Sequence, residues 1–415
     1  MHSANPWFLV LLVSLIGLHV LETVATLLNL RRLDPRLPEE FAGVFSEADY
    51  AKSQEYARES ERFDLMAGTF RLVVFLGFWL GGGFAWLDGL VRGMAEGEIV
   101  RGLLGFALMH AGATLVSLPF EIYGTFRIEA KYGFNKTTPG TFAADRVKGL
   151  GLAAGIGLPL LALLLWIFQR VPQAWVWAWV ATTVFMLALQ FVAPRWLMPL
   201  FNKFTPLDEG PLRRAILGLA ERCAFPLRDV FIIDGSRRST KGNAFFAGFG
   251  RNKRIALYDT LVEKHPEPEL LAVLAHEIGH FKKRHIVQRL VAAVVQLAVL
   301  FLCMGLVLTN AGLAEAFGLK GPTLWLGFVF FMILFEPVQL LIGIAGNVWS
   351  RRHEFEADEY AASVTGGPEA MTGALKRLAR DSLSNLTPHP LYVFLHYSHP
   401  PMLERLAALR GLGRN

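Results

Sequence analysis

The sequence predicts a mostly α-helical membrane protein that crosses the bilayer seven times and carries a soluble segment with a small β-sheet. Of its 415 residues, 53% are hydrophobic and only 18% are charged, whereas soluble proteins are nearer ~45–50% apolar. Seven apolar runs have the roughly 20 residues that a membrane-spanning helix needs. They lie at 7–30, 69–91, 99–124, 149–169, 174–200, 286–309 and 323–348.

The connections between these runs differ in length and in charge. Nearly all Lys and Arg lie in the long connections at 31–68, 125–148 and 201–285 and in the tail from residue 349. Because basic loops stay in the cytoplasm, this bias places the long connections inside and, with seven spans, the N-terminus outside. The same bias explains the net charge of +6 without nucleic acid as a partner. The first run is longer than a signal-peptide core, so we expect it to be retained.

Several polar side chains fall inside the apolar runs or near their ends, where they are costly unless they face a cavity or a partner. They are Glu22, Asp88, His110, Glu121, Gln190, Gln296, Glu336 and Gln339. Those near the ends of runs can equally extend to the membrane surface, but Glu336 lies near the middle of its run. We therefore expect the helices to enclose a water-filled chamber.

The long connection at 201–285 is expected to fold as a small soluble unit. Its predicted elements are a helix at 213–222, strands at 229–234 and 254–258, and a Gly-aromatic stretch at 243–250 between those strands. A second helix opens after Pro266 and shows no break, so we expect it to continue through Lys282-Lys283-Arg284 into the sixth span. We divide the chain into a five-span membrane domain at 1–205 and a second domain at 206–415 that includes the last two spans.

The second helix contains His276-Glu277-Ile278-Gly279-His280, an H-E-x-x-H pattern. Residues four apart lie on one face of a helix, so both histidines can reach one metal ion and Glu277 a water beside it. This pattern is typical of zinc metalloproteases. It also arises by chance, and the helix that it requires is predicted here. A catalytic zinc takes three protein ligands, so one more must come from elsewhere.

The sixth and seventh runs form a hairpin that returns the chain to the same side of the membrane. The segment that follows offers four possible ligands, His353, Glu354, Glu356 and Asp358. Glu354 and Asp358 share one helix face. A charged segment of this kind is more often a solvated helix when it stands alone. The residues by themselves therefore leave the third ligand open.

Motifs dispersed along almost the whole chain resemble those of the type I CAAX prenyl protease family, membrane zinc endopeptidases of the gluzincin type. They are Leu118-Pro-Phe-Glu-Ile-Tyr123, Ile128-Glu129, Gly133-Phe-Asn-Lys136, Pro199-Leu-Phe-Asn-Lys203, Asn243-Ala-Phe-Phe246, His276-Glu-Ile-Gly-His280, Glu354-Phe-Glu-Ala-Asp358 and Ser398-His-Pro-Pro401 with Arg405. The resemblance implies a seven-helix barrel around a large chamber, with the zinc domain on its cytoplasmic side. It also implies that one Zn²⁺ per chain is bound by His276, His280 and Glu354.

The resemblance further implies roles for residues around the metal. Glu277 would be the general base, and Asp358 would orient a ligating histidine or donate a proton. His399 and Arg405 would stabilise the oxyanion of the tetrahedral intermediate. Asn243 and its aromatic neighbours would offer a strand edge to a peptide substrate. Without the resemblance, His399 is more typical of a turn before two prolines, and the aromatic stretch of a buried loop.

The expected activity is hydrolysis of peptide bonds in membrane-associated or lipidated proteins. The expected partners are the lipid bilayer and a peptide or prenylated-protein substrate, and the sequence does not predict an oligomeric state. A composition rich in Ala, Leu, Gly and Arg favours a bacterial inner-membrane source, in which turnover of damaged membrane proteins is a more natural task than prenyl processing. The competing hypothesis is a transporter or channel without protease activity, which predicts no dependence on metal.

Overall fold

The computed structural model describes residues 5–247 and 253–413. The helices in these ranges are α1 (Pro6–Arg32), α2 (Glu47–Leu80), α3 (Gly83–Met94), α4 (Glu98–Tyr123), α5 (Pro139–Leu152), α6 (Leu158–Arg170), α7 (Ala174–Val192), α8 (Pro211–Arg222), α9 (Asp259–Lys264), α10 (Glu267–Lys282), α11 (His285–Val307), α12 (Ala311–Ala316), α13 (Leu324–Thr365), α14 (Glu369–Asp381), α15 (Pro390–His396) and α16 (Met402–Leu412). The strands are β1 (Phe204–Pro206), β2 (Leu227–Ile233), β3 (Ala244–Ala247) and β4 (Lys253–Tyr258). Short π-helical segments extend α4 and α7 and join α5 to α6.

Seven helical segments of the described chain are long and apolar enough to cross a membrane, as the sequence predicts. They are Pro6–Arg32, Glu47–Leu80, Glu98–Glu129, Pro139–Arg170, Ala174–Leu200, His285–Val307 and Leu324–Thr365. Their outward faces expose large apolar side chains; Val13, Leu115 and Leu306 are 68%, 72% and 74% exposed. Apolar side chains are expected on these faces because the membrane interior around them is hydrocarbon and not water. The helical form is expected because each helix satisfies its own backbone polar groups there.

The second span lies earlier in the chain than the expected 69–91. It is formed by α2, and a turn at Gly81 and Gly82 then starts the separate helix α3. Gly82 has φ +79°, a left-handed conformation that glycine adopts without steric conflict. Hydropathy cannot reveal this turn, because apolar residues continue on both sides of it.

Several polar residues of the spans have partners or line cavities. Glu22 lies 3.1 Å from His396 Nε2, and Glu121 pairs with Arg146. Glu336 lines a cavity of about 280 Å³ beside α13. A second cavity of about 270 Å³, between α1, α2 and α15, is lined in part by Glu22, Glu61 and Asp64. Both cavities are partly open to the surface, so the water-filled chamber expected from the charges within the apolar runs stays a prediction.

The soluble unit is built on a four-stranded sheet in the order β1-β2-β4-β3. The central strands β2 and β4 are parallel, and the other pairs are antiparallel. Leu257 of β4, Leu274 and Ile278 of α10 and Leu375 of α14 are buried in one core. The predicted strands at 229–234 and 254–258 are therefore present. Of the Gly-aromatic stretch, residues 248–250 lie outside the described part of the chain.

Arg238 connects the soluble unit to helix α5, the start of the fourth candidate span, and to the segment just before it. Its guanidinium donates to both carboxylate oxygens of Asp145, at 2.8 and 2.9 Å, and to Asn202 at 3.2 Å. Its carbonyl accepts a hydrogen bond from the backbone N–H of Lys136 at 3.0 Å. A paired, bidentate arginine gives this contact a defined geometry as well as favourable energy.

The helix with the H-E-x-x-H pattern does not continue into the sixth span, so that expectation is wrong. Helix α10 ends at Lys282 and α11 begins at His285. Arg284 between them has φ +59°, which costs roughly 1–2 kcal/mol for a residue with a Cβ. The turn therefore needs contacts that offset this strain. No residue in the local sequence predicts the turn.

The packing of α4 against α13 generates a stability prediction. A Cβ on Gly105 would lie 2.6 Å from the ring of Trp325, which is fully buried. Gly105→Ala is expected to lower stability by about 1–3 kcal/mol through overpacking. The matched control is Gly112→Ala on the same helix, where a Cβ would meet nothing within 4 Å. Thermal unfolding in detergent measures both, and equal melting temperatures would refute the packing argument.

Candidate metal centre

Helices α10 and α13 approach closely enough to bring residues of both to one point. One close contact is at Gly279, where a Cβ would lie 3.2 Å from both the Cα and the carbonyl oxygen of Ala357. A larger residue at Gly279 would push the two helices apart. This contact lies between His276 and His280 on one helix and beside Glu354 on the other.

The side chains of His276, His280 and Glu354 form a compact group of possible ligands. Their ligand atoms all lie within 4.8 Å of one another. The two Nε2 atoms are 3.1 Å apart, and each lies 3.4 Å from an oxygen of Glu354. Tetrahedral zinc with bonds of ~2.1 Å separates its ligand atoms by about 3.4 Å. Glu354 Oε2 is buried and accepts no hydrogen bond, so the group fits a metal ion.

Asp358 and Arg405 lie directly behind the ligands. Asp358 Oδ1 lies 2.8 Å from His276 Nδ1. Arg405 Nε and Nη2 donate to the two oxygens of Asp358 at 2.7 and 2.6 Å. Both residues are buried, and a bidentate pair offsets the desolvation of each charge. Burial alone lowers the pKa of His276, but the carboxylates of Asp358 and Glu354 outweigh it and raise this pKa to about 9.

Glu277 follows His276 on α10 and, like His280, is only partly buried, whereas His276 and Glu354 are buried. Burial raises the pKa of its carboxyl group, with the neighbouring His276 and His280 acting in the opposite direction. A carboxylate with a raised pKa is a stronger proton acceptor. The position and the basicity both suit the general base that the H-E-x-x-H pattern predicts.

His399 and Arg405, predicted to share one role, differ in their surroundings. His399 Nε2 lies 3.5 Å from Glu354 Oε1, and its side chain is 63% exposed. It is therefore open to a substrate. Arg405 is buried, and Nη1 is the group not held by Asp358; it lies 3.7 Å from Glu354 Oε2. The structure thus brings both residues to the metal centre, one at its surface and one beneath it.

The helix α15 holds the segment with His399 in place, a feature that sequence reasoning missed. It packs against α1 and α13, the first and last spans. Arg351 of α13 donates to the carbonyl of Tyr397 at 2.6 Å. At the N-terminal end of α15, the side-chain oxygen of Asn29 in α1 accepts a hydrogen bond from the backbone N–H of His389 at 2.8 Å. No motif predicts these contacts, because they join residues that are remote in sequence.

Asn243 lies at the start of the edge strand β3. Its side-chain oxygen accepts from the N–H of Ala244 at 2.8 Å, and its carbonyl accepts from the N–H of Tyr258 at 3.0 Å. The strand packs against α10 through the rings of Phe246 and Phe281, 6.3 Å apart. A free sheet edge therefore lies alongside the helix that carries the histidines.

Two family models together match nearly all of the chain. One, described as CAAX prenyl protease N-terminal with five membrane helices, matches residues 26–203. The other, Peptidase family M48, matches residues 206–412. The two matches meet at the point where the membrane helices give way to the sheet and the metal centre.

Curated relatives match over almost their whole length. The CAAX prenyl protease 1 homolog of Oryza sativa subsp. japonica is 36% identical over 98% of this chain and 98% of its own. CAAX prenyl protease 1 of Saccharomyces cerevisiae is 33% identical over 98% and 96%. The Homo sapiens CAAX prenyl protease 1 homolog is 33% identical over 91% and 89%. The crystal structure of S. mikatae Ste24p superimposes with a TM-score of 0.90, at 34% identity over 97% of this chain and 99% of that one.

These matches decide two of the expectations. The relatives named here are eukaryotic, so the bacterial source inferred from composition is not borne out. The preference for turnover of damaged membrane proteins depended on that source and therefore loses its support. The transporter hypothesis is not favoured, because both the membrane helices and the metal centre match peptidases. The chain belongs to the CAAX prenyl protease 1 family, membrane-embedded zinc endopeptidases of peptidase family M48.

Proposed function

We propose that this protein binds one Zn²⁺ through His276, His280 and Glu354 and hydrolyses a peptide bond near the C-terminus of prenylated CAAX proteins. The observation that carries the metal assignment is the close approach of the three side chains: the two Nε2 atoms are 3.1 Å apart, and each lies 3.4 Å from a different oxygen of Glu354, spacings that suit zinc. The substrate class follows from the names of the relatives, CAAX prenyl protease 1.

The chemistry divides between the metal and the chain. Zinc, when bound, supplies a Lewis acid that polarises the scissile carbonyl and makes water acidic. Glu277 accepts the proton of the attacking water and passes it to the leaving amine. Its raised pKa supports both transfers, because the carboxylate takes the proton readily and the carboxylic acid returns it.

The residues around the proposed ligands orient the histidine rings and stabilise the oxyanion of the substrate. Asp358 accepts from His276 Nδ1, which leaves Nε2 free for the metal and holds the ring in one orientation. Arg405 holds Asp358 from the far side and so acts mainly through it. His399, exposed beside Glu354, is the better placed of the two predicted donors to contact the oxyanion of a substrate.

The substrate is presented from the membrane. Helix α13 carries Glu354 and, further towards its N-terminus, also lines the cavity at Glu336. The edge strand after Asn243 offers backbone groups to an extended peptide. The basic long connections favour an orientation with the metal centre in the cytoplasm and the N-terminus outside.

Separate variants of the ligand and the base test the metal centre. His276→Ala is expected to abolish both zinc binding and cleavage. Glu277→Gln is expected to retain one zinc per chain while kcat falls about 10²–10⁴-fold, since only the proton transfer is lost. Metal analysis of the purified protein and a fluorogenic peptide assay measure both, with His110→Ala in α4 as the control. A zinc content that survives in His276→Ala would refute the assignment.

Zinc binding is expected to depend on pH through His276. Without metal its pKa is about 9, so at pH 7 the ring is protonated and must lose a proton before it can bind zinc. Zinc affinity should therefore rise as the pH rises from 7 to 9 and level off above that. Calorimetry in two buffers of different ionisation enthalpy measures the protons released. Asp358→Asn should reduce this release, and identical heats in both buffers would contradict the argument.

The substrate class is tested with one peptide in two forms. A CAAX peptide with a farnesyl thioether is expected to have a higher kcat/KM than the same peptide with an S-methyl cysteine, because the prenyl chain partitions into the membrane interior. Glu277→Gln supplies the background rate for each. Equal kcat/KM for the two forms would exclude a prenyl-specific role and leave general cleavage of membrane-associated peptides.

A further inference from the structure

Behind the second proposed histidine ligand lies a chain of side chains, running from buried His285 to the partly exposed Glu356, that has no role so far. His280 Nδ1 lies 2.9 Å from Nδ1 of His285. His285 Nε2 in turn lies 3.1 Å from Glu356 Oε2. His285 is only 1% exposed. A ligating histidine is thus connected through a second histidine to a carboxylate.

The break between α10 and α11 makes this contact possible. At 100° per residue, positions five apart in a continuous α-helix point about 140° away from each other, so His285 could not touch His280. The turn with Arg284 at φ +59° reverses that geometry. Strained backbone of this kind often marks a functional constraint. Here the contact formed across the turn is a hydrogen bond to a metal ligand.

The ring of His285 is also fixed in its plane. It stacks on the ring of His353 with centroids 3.8 Å apart and an interplanar angle of 7°. His353 is itself buried, and its Nε2 lies 3.1 Å from Gln288 Oε1. One ring nitrogen of His285 is therefore held towards His280 and the other towards Glu356.

The protons in this chain have one consistent arrangement once Nε2 of His280 is a ligand. His280 then carries its proton on Nδ1 and donates it to Nδ1 of His285. His285 must then carry its own proton on Nε2, and it donates to the carboxylate of Glu356. We propose that His285 and Glu356 are positioning residues that orient His280 for the metal, as Asp358 does directly for His276. This inference rests on the proposed zinc centre.

Zinc affinity, measured by competition with a chelator, is the first test. His285→Phe keeps the ring and its stacking but removes both nitrogens, and should weaken zinc binding about 10–100-fold. His285→Asn places an amide oxygen near the position of Nδ1, so it should recover most of that loss. The Co²⁺-substituted protein gives a second readout: its visible absorption bands should shift in the Phe variant and return towards the wild type in the Asn variant.

Two variants on α13 serve as a matched pair. Glu356→Leu breaks the chain at its far end and should weaken zinc binding about tenfold. Arg352→Ala removes the partner that contacts Glu356 from the exposed side, where its own side chain is 79% exposed, and should leave zinc affinity unchanged. If His285→Phe does not fold, Glu356→Leu decides: a tenfold loss supports the proposal, and a wild-type affinity overturns it.

The outcomes separate this inference from the proposed function. If the wild type binds zinc and His276→Ala does not, the centre is established whatever happens at His285. Wild-type zinc affinity and Co²⁺ spectra in His285→Phe would then overturn the inference alone. Equal losses in the Phe and Asn variants would also overturn it, because the effect would come from packing and not from the hydrogen bond. A wild type without zinc would remove the proposed centre itself.

Discussion

The close packing of α10 against α13 is the contact on which the metal centre depends. Gly279 lies against the backbone of Ala357 without an intervening Cβ, which sets the distance between the two histidines and Glu354. An extra methyl group there would lie 3.2 Å from the backbone of Ala357, so the neighbouring atoms would have to shift by a few tenths of an ångström, which is comparable to the ~0.2 Å within which ligand distances must hold. The glycine within the H-E-x-x-H pattern thus has a packing role as definite as the ligands' chemical one.

Charge balance explains why the C-terminal helix α16 belongs to the site. Glu354 and Asp358 are both 2% exposed, and two buried carboxylates so close together would repel one another. Arg405 places one positive charge against Asp358 and near Glu354. A metal ion would supply the remaining positive charge that the two carboxylates need. The arginine therefore supports the acid that orients His276, and the structure explains its position without requiring contact with a substrate.

The sequence predicted the parts of this protein that depend on local pattern. Seven apolar runs, two strands and the helix with His276 and His280 follow from hydropathy and periodicity, and the resemblance added Glu354. The turn at Arg284 was missed because Lys-Lys-Arg has no glycine or proline to mark it. Its strain is offset by contacts of His285 with side chains from α13, which come from about 70 residues further along the chain. Local patterns cannot encode such a contact.

The helix that forms the seventh candidate span also carries the proposed ligand Glu354, and this bears on how the enzyme meets its substrate. Helix α13 is continuous over 42 residues, with Pro337 inside it, and Glu336 and Glu354 are about 27 Å apart along the helix at 1.5 Å per residue. One helix therefore links the seventh span to the proposed ligand Glu354. With α15 held between α1 and α13, the packing of the first and seventh spans also sets where His399 lies. The surroundings of the proposed metal centre therefore depend on the packing of the first and seventh spans as well as on the soluble unit.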